Sequence, residues 1–344
     1  MHRFLRACRR EPADVTPVWL MRQAGRYMPE YRKLRARLGF LELCKNPEAA
    51  AEVTMLPVER LGVDAAIIFA DILLPLEPMG VGLEFAKDEG PVIHRPVRSG
   101  KDLARLREVD VQDSVPFVFE AVRLVRRDLR GRLPLIAFAA APFTLASYLI
   151  EGGPSRDYLR TKRLMHSEAE TWRVLVEKLA ALTTAYLAGQ IAAGCQAVQL
   201  FDSWVGTLSP EDYRTGVLPY TRQVIRGLPA EVPVIHFGTG TGGLLELMRD
   251  AGGDVIGLDW RVDLGEAWRR VGDDVAVQGN LDPAVLLARP QEIRRQVELI
   301  LERAGGRPGH IFNLGHGVLP QTPVEHAVAL VEMVHELSAK RGAP

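Results

Sequence analysis

Short apolar runs alternate with longer amphipathic segments along the whole chain. Eight runs have the length and the β-branched or aromatic content of buried strands. They are residues 17–21, 65–71, 134–140, 197–203, 233–238, 255–260, 275–280 and 310–315. The segments between them carry apolar residues at helical spacing, as in residues 46–62, 167–194 and 209–228. Eight strands that alternate with helices predict an α/β fold of the (β/α)8 barrel type.

The length of the chain is compatible with this barrel. Such barrels need about 250 residues, and the chain has 344. Part of the excess lies in Leu76–Val97, which is rich in glycine and proline and lacks helical periodicity. We expect a hairpin insertion there, after the second strand. No linker, low-complexity tract or internal repeat divides the chain, so residues 1–344 are predicted to be a single barrel domain.

Charge and composition exclude several classes of protein. Lysine plus arginine and aspartate plus glutamate each number 43, so the formal charge is zero. This balance argues against a globally basic nucleic-acid binder. Apolar residues make up 47% and charged residues 25%, as in folded globular proteins. The longest uncharged run, residues 133–150, is interrupted by Pro134 and Pro142, so it predicts a strand and a helix start rather than a membrane span.

The cysteines and the amino terminus favour a cytoplasmic protein. Cys8, Cys44 and Cys195 are widely spaced, and no C-x-x-C motif occurs, which argues against a disulfide framework or a cysteine zinc site. Residues 1–12 lack the apolar core of a signal peptide. No H-x-H or H-E-x-x-H motif is present, and no lysine ends a predicted strand. We therefore predict no metal site and no pyridoxal cofactor.

A barrel of this type carries its active site at the carboxyl ends of the strands and in the loops that follow. Polar residues at those positions are therefore the candidates for chemistry. They are Arg22, Gln23, Arg26, Asp71, Tyr148, Ser203, His236, Asp259, Gln278, Asn280 and His316.

The motif MRQAGRYMPEYR, residues 21–32, follows the first predicted strand. Gly25 permits a tight loop, and Pro29 suits the first turn of a helix. Arg22 and Arg26 thus place two guanidinium groups on a short loop at the barrel mouth. Each offers a planar fork of donors that fits a carboxylate or phosphate. The alternative is a pair of solvated surface arginines.

Asp71 and His316 are candidates on two other strand ends. Asp71 ends an apolar strand, where its carboxylate would face the barrel mouth and stabilise a developing cation. The alternative is a helix cap or a structural salt bridge. His316 lies between two glycines that let its loop approach a ligand, and the alternative is a helix cap. We interpret His236 and His310 as core histidines with satisfied hydrogen bonds.

Gly238, Gly240 and Gly243 spell G-x-G-x-x-G after a predicted strand, and Asp259 ends the next strand. This layout also occurs in units that bind a dinucleotide or S-adenosylmethionine. A single match is weak evidence, and the strand alternation continues through it. We favour loop geometry as the reason for these glycines and keep a nucleotide-dependent enzyme as an alternative.

The arginine motif resembles that of the uroporphyrinogen decarboxylases. The similarity continues in order through most of the chain, in DAAIIFADIL, AAPFTLASYLIEGG, QLFDSWVG, HFGTG, QGNLDP and NLGHGVLP. It implies a distorted (β/α)8 barrel and a cytoplasmic homodimer that uses no cofactor. It also implies the activity, in which uroporphyrinogen III loses four acetate carboxyl groups as CO2 and becomes coproporphyrinogen III.

The resemblance also implies site residues. Asp71 and Arg22 would be catalytic, Asp71 by stabilising a cationic ring, and Phe201 would flank the macrocycle. The substrate contacts would come from Arg22, Gln23, Ala24, Gly25, Arg26, Phe40, Asp71, Tyr148, Ser203 and His316. Two further alternatives stay open: a tetrapyrrole carrier, and a corrinoid methyltransferase, although the latter would carry a His-x-Cys where this chain has His236, Phe237 and Gly238.

Overall fold

The computed structural model describes residues 2–86 and 90–339. Its strands are β1 Ala66–Ile67, β2 Leu83–Ala86, β3 Gly90–Ile93, β4 Leu135–Ala140, β5 Ala197–Asp202, β6 Val234–Gly238, β7 Val255–Gly257, β8 Ala276–Gln278 and β9 His310–Ile311. Seven of these described strands form one parallel sheet in the order β1-β4-β5-β6-β7-β8-β9. They correspond to the second to eighth predicted strands, and the curled sheet with its surrounding helices confirms the distorted barrel.

The helices lie between the strands, as the pattern predicts. They are α1 Arg3–Cys8, α2 Pro29–Arg35, α3 Phe40–Lys45, α4 Pro47–Leu61, α5 Gly100–Leu103, α6 Val111–Ser114, α7 Pro116–Leu129, α8 Pro142–Glu151, α9 Leu159–Ser167, α10 Ala169–Ala193, α11 Pro210–Gly216, α12 Leu218–Arg226, α13 Leu245–Ala251, α14 Leu264–Val271, α15 Pro290–Ala304 and α16 Val324–Ala339. Turns of 3-10 helix cover Leu74–Met79, Val205–Thr207 and Pro283–Leu287.

Local sequence explains where α4 begins and ends. The Asn46 side chain accepts a hydrogen bond from Ala49 N at 2.8 Å, which caps the first turn. Gly62 follows the helix with φ at 72°, a conformation that glycine adopts without steric cost. The uncharged run 133–150 forms β4 and α8, as predicted. Within the described part of the chain, no helix combines the length and the apolar character needed to cross a bilayer.

The first predicted strand, residues 17–21, is not a regular strand. It makes a single parallel bridge, Val18 to Phe312, although it still lies between β9 and the segment that leads into β1. Backbone bonds from Phe312 N to Pro17 O and from Asp64 N to Val18 O, both at 2.8 Å, join it to its neighbours. Side chains add two more acceptors: Asp64 Oδ2 accepts from Val18 N at 2.7 Å, and Asn313 Oδ1 accepts from Met21 N at 3.0 Å. Hydrophobic patterning does not reveal these side-chain acceptors.

The predicted insertion after the second strand is present. β2 and β3 pair antiparallel, with Leu83 opposite Ile93. The turn that joins them, residues 87–89, lies outside the described residues. This hairpin stands apart from the barrel sheet.

The amino-terminal end of the barrel is filled by α1. Phe4 and Ala7 pack with inward-facing strand residues, among them Ile136 and Ile235, and all four are buried. Access to the barrel interior is therefore from the opposite end, where the strands end and the candidate residues lie.

Asp64 should be a major stabilising residue, because its carboxylate also binds His335 Nε2 at 2.7 Å and Arg3 at 3.1 Å. We predict that Asp64→Ala lowers the free energy of unfolding by about 2–4 kcal/mol, since it leaves these donors without their acceptor. Asp14→Ala is the matched control. Asp14 binds the same Arg3 but is largely exposed, so the loss should stay below about 1 kcal/mol. Equal losses in urea titrations of the two variants would contradict this assignment.

Candidate active site

A cavity of about 870 Å³ opens at the carboxyl ends of the strands. This volume is near the upper end of the range for small-molecule sites. The residues predicted to contact the substrate all lie on its wall: Arg22, Gln23, Ala24, Gly25, Arg26, Phe40, Asp71, Tyr148, Ser203 and His316. Phe201 lines it as well. Residues more than 290 positions apart in the sequence therefore share one cavity.

The arginine loop is held from below by Gln23. Its buried side chain accepts from Leu20 N at 3.1 Å and donates to Ala65 O at 3.1 Å, so it anchors the loop to the barrel. Arg22 has φ at 59°, an uncommon backbone conformation for a residue with a side chain. The flanking bonds thus turn the guanidinium of Arg22 into the cavity.

Gly317 makes room for the Arg22 side chain. A Cβ atom on Gly317 would lie 2.4 Å from Arg22 Cδ and 2.7 Å from its Cγ, well inside contact distance. A larger residue would not fit after His316, because the aliphatic part of the Arg22 side chain packs directly against the backbone of Gly317.

Asp71 is half-buried at the end of the β1 segment. Its Oδ1 accepts from Leu73 N at 2.8 Å in the turn before the 3-10 helix Leu74–Met79, which has no side-chain cap, and the carboxyl also lines the cavity. Burial raises the pKa of Asp71 to about 6, against the opposing effects of the Leu73 bond and the charge of Arg22. The carboxylate is thus anionic near neutral pH but poorly solvated, which favours a cationic partner.

Tyr148, Ser203 and His316 supply uncharged polar groups to the wall. Burial, followed by the charge of Asp71, raises the pKa of Tyr148 to about 12, so its hydroxyl keeps its proton. Burial, followed by the charges of Arg22 and Arg261, lowers the pKa of His316 to about 4. The imidazole is therefore neutral near pH 7, and both rings can donate a hydrogen bond without carrying charge.

Aromatic rings form the apolar walls. Phe201 contacts Phe138 and Phe237 edge to face, with centroids 5.8 and 5.9 Å apart. On another side, Phe40 packs 4.7 Å from Phe85, a residue of the β2–β3 hairpin. The cavity thus combines flat apolar surfaces with cationic groups, a chemistry suited to a large aromatic molecule with carboxylates on its rim.

Sequence reasoning missed several contributors to the cavity, among them Arg35 and Phe85. Arg35 supplies a third guanidinium from the end of α2. Its Nη1 donates to Leu38 O at 2.5 Å, which holds the group in place. Extending the arginine motif by one helical turn would have found it. Phe85 had no local signal, because only the folding of the hairpin brings it to the site.

Other polar residues at strand ends do not line the cavity. Gln278 accepts from Trp19 Nε1 at 2.9 Å, and Asn280 donates to Asp259 O at 2.8 Å. His236 and His310 are buried, as predicted, but only partly satisfied. Each ring makes one hydrogen bond, to Met248 O and Gly279 O respectively, and its other nitrogen has none in the described structure.

The predicted glycine-rich loop is arranged by packing within the protein. Asp259 Oδ2 accepts from Gly240 N at 2.5 Å, so the acidic residue of the motif is occupied by the loop itself. A Cβ on Gly206 would lie 2.1 Å from Thr239 O, which shows how closely the neighbouring loop approaches. Among the residues of known placement, no three His, Cys, Asp or Glu side chains converge on a point that could hold a metal.

Comparison with known proteins identifies the family. The family model for uroporphyrinogen decarboxylase (URO-D) matches residues 1–337. A uroporphyrinogen decarboxylase from Sorangium cellulosum is 60% identical over 339 residues, which cover 98% of this chain and 97% of that protein. Another, from Carboxydothermus hydrogenoformans, is 60% identical over 337 residues, covering 98% and 96%.

A solved structure extends the comparison to the fold. A methyltransferase from Methanosarcina mazei superposes with a TM-score of 0.78 at 20% identity, covering 97% of each chain. At this identity the likeness concerns the fold alone. The two decarboxylases above share 60% of their residues with this chain, three times the identity of the methyltransferase. The chain belongs to the uroporphyrinogen decarboxylase family.

Proposed function

We propose that the chain removes the four acetate carboxyl groups of uroporphyrinogen III, giving coproporphyrinogen III and four CO2. The observation that carries this proposal is the charge pattern of the cavity. Asp71 is the one carboxylate among the described residues that line it, and the cationic groups there are Arg22, Arg26 and Arg35. The substrate has the complementary pattern, with carboxylates on the rim of the macrocycle and pyrrole N–H groups at its centre.

The chemistry does not call for a cofactor, because a pyrrole ring serves as its own electron sink. Protonation of a ring carbon next to the acetate-bearing carbon creates a cationic ring. The bond between the acetate CH2 and its carboxylate then breaks, CO2 leaves, and the electron pair neutralises the ring. Protonation of the exocyclic carbon gives a methyl group, and the ring carbon loses its proton. Each cycle consumes one proton.

Asp71 has the environment to stabilise that cation. Its carboxylate is partly desolvated, and a cation in a cavity of low polarity interacts with it more strongly than in water. Its Oδ1 is turned toward Leu73 N, whereas Oδ2 has no such backbone partner in the described structure. In our proposal the free oxygen faces the pyrrole N–H groups, and the flexible macrocycle folds around it.

The remaining polar groups bind the rim of the substrate. Arg22, Arg26 and Arg35 would pair with acetate and propionate carboxylates through planar guanidinium forks. Tyr148, Ser203 and His316 would donate hydrogen bonds to others. The apolar rings of Phe40 and Phe201 would flank the macrocycle, which explains the mixed lining.

The acidity of the available groups indicates which of them supplies the proton. A guanidinium has a pKa above 12 and gives up its proton poorly near pH 7. We therefore propose that Arg22 positions a water molecule or a carboxylic acid of the substrate next to the ring carbon. In this scheme Arg22 keeps its positive charge throughout. It contributes to catalysis by holding the proton donor in place and by the electric field of its charge.

The competing functions are separated by one assay. The chain is incubated anaerobically with uroporphyrinogen, and the loss of carboxyl groups is followed by chromatography. A tetrapyrrole carrier would bind without conversion. A nucleotide-dependent enzyme or a corrinoid methyltransferase would leave the carboxyl groups in place, and the former would bind NAD or S-adenosylmethionine in calorimetry. Neither is favoured, since the relatives named above are decarboxylases.

We also propose that the chain forms a homodimer in the cytoplasm. The dimer is what the resemblance to the decarboxylase family implies. The three free, buried cysteines are consistent with a reducing compartment. Light scattering should give twice the chain mass of 38.1 kDa.

Replacing Asp71 should separate activity from stability. We predict that Asp71→Asn lowers kcat about 10²- to 10³-fold, since the group that stabilises the cation is lost. The melting temperature should not fall, because the amide keeps the bond from Leu73 N and removes a poorly solvated charge. Near-normal turnover in the folded variant would exclude the proposed role.

The pH profile should report the ionisation of Asp71. Because its raised pKa is about 6, protonation below that pH removes the anion, and kcat/KM should fall about tenfold per pH unit below pH 6. His316→Gln is the control, since the lowered pKa of His316 leaves the ring neutral across this range. The acidic limb should persist at the same pH in that variant. If the acidic limb disappeared in His316→Gln, the group that titrates would be His316 and not Asp71.

Gly317 offers a test of the arginine geometry. We predict that Gly317→Ala lowers kcat/KM about 10- to 100-fold, because the added methyl displaces the Arg22 side chain. Gly243→Ala is the matched control, since a Cβ there meets nothing within 4 Å and its backbone is not left-handed. Activity should stay close to that of the parent. Equal activity in both variants would show that the position of Arg22 is not critical.

A further inference from the structure

The glycine-rich loop and Asp259 remain unexplained by the proposed chemistry, although they lie close to the site. Asp259 is buried and holds three groups at once. Its Oδ2 accepts from Gly240 N at 2.5 Å and from Arg261 Nη1 at 2.7 Å. Its Oδ1 accepts from Arg261 N at 3.0 Å. These bonds fix both the backbone and the guanidinium of Arg261 against the end of β7.

The fixed guanidinium covers the face of Trp260. The central carbon of Arg261 lies 3.9 Å from the centroid of the indole, a close cation–π contact. Trp260 also contacts a residue of the cavity wall. Trp260 meets the imidazole of His316 edge to face, with centroids 6.2 Å apart and an interplanar angle of 88°. A continuous chain of contacts therefore runs from Asp259 to a ring on the cavity wall.

His316 needs such support. It lies between Gly315 and Gly317, which carry no side chains that could pack against its ring. Within the described part of the structure, its ring nitrogens have no hydrogen-bond partner in the protein. Gly315 packs so closely on Trp260 that a Cβ there would lie 2.3 Å from Trp260 N. The orientation of the imidazole is therefore set by packing against Trp260.

We infer that Trp260 and Arg261, clamped by Asp259, are positioning residues that orient His316 toward a carboxylate of the substrate. This inference rests on the proposed function and adds residues that do not line the cavity. It also gives the glycine-rich loop a role, since the Gly240 N–H helps to hold Asp259.

The protein contains a similar arrangement away from the cavity. The guanidinium carbon of Arg307 lies 4.1 Å from the Trp268 ring, and Trp268 lies 6.4 Å from His310. Neither ring lines the cavity. Arg307→Gln therefore removes the same kind of stacked guanidinium without touching the site, and it is a matched control.

The test is a double-mutant cycle on decarboxylation of uroporphyrinogen. Arg261→Gln and Trp260→Leu are made in the parent chain and in His316→Ala. In the parent chain each should lower kcat/KM about two- to tenfold, mainly by raising KM. In the His316→Ala background the same changes should have less than about a twofold effect, because the ring that they orient is gone. Arg307→Gln should leave both kinetic constants unchanged.

Several results would overturn the inference. One is a loss of kcat/KM by the same factor with and without His316, and another is no loss in the parent chain. If Trp260→Leu does not fold, Arg261→Gln decides, because Arg261 is exposed. Turnover by the parent chain is measured in the same assay, so failure of the proposed function itself is seen separately.

Discussion

The proposed activity of the site depends on the carboxylate of Asp71, which is only partly solvated. Asp71 sits at the end of a buried strand segment, and burial raises its pKa to about 6. Such a group is anionic near neutral pH but lacks full solvation. A cation that forms beside it is therefore stabilised more than it would be in water. In the proposed reaction that cation is a protonated pyrrole, and the stabilisation appears at the step in which CO2 leaves.

The surrounding structure serves this interaction in two ways. The helix α1 packs against apolar strand residues at the amino-terminal end of the barrel, so that end is filled and the cavity lies at the other. The arginine loop then supplies positive charge at the rim, held by Gln23 below and by Gly317 beside it. In the proposed complex the cationic groups would bind the carboxylates of the substrate, and Asp71, the one carboxylate among the described lining residues, would meet the centre of the ring.

Much of this arrangement could be predicted from the sequence. Alternation of apolar runs located seven strands of the sheet, and the strand-end rule for barrels directed attention to Asp71 and His316. The exceptions have physical causes. Residues 17–21 look like a strand, but they make only one parallel bridge, and the side chains of Asp64 and Asn313 accept from Val18 N and Met21 N. Hydrophobic periodicity indicates which residues are buried, but it cannot show which atoms accept the backbone hydrogen bonds.

The site shows the same limit. Arg22 and Arg26 directly follow the predicted first strand, so local reasoning found them, whereas Phe85 reaches the cavity through a hairpin that is separate from the barrel sheet. The acidic residue of the glycine-rich motif left a nucleotide ligand open as an alternative. Its partners are Gly240 and Arg261, which only the fold brings together.

The most direct measurement is a crystal structure of the chain with coproporphyrinogen bound under anaerobic conditions. The account predicts that pyrrole nitrogens lie about 3 Å from the Asp71 carboxylate, with rim carboxylates paired to Arg22 and Arg26. A tetrapyrrole bound with its nitrogens directed away from Asp71, or with its carboxylates remote from those arginines, would contradict the account.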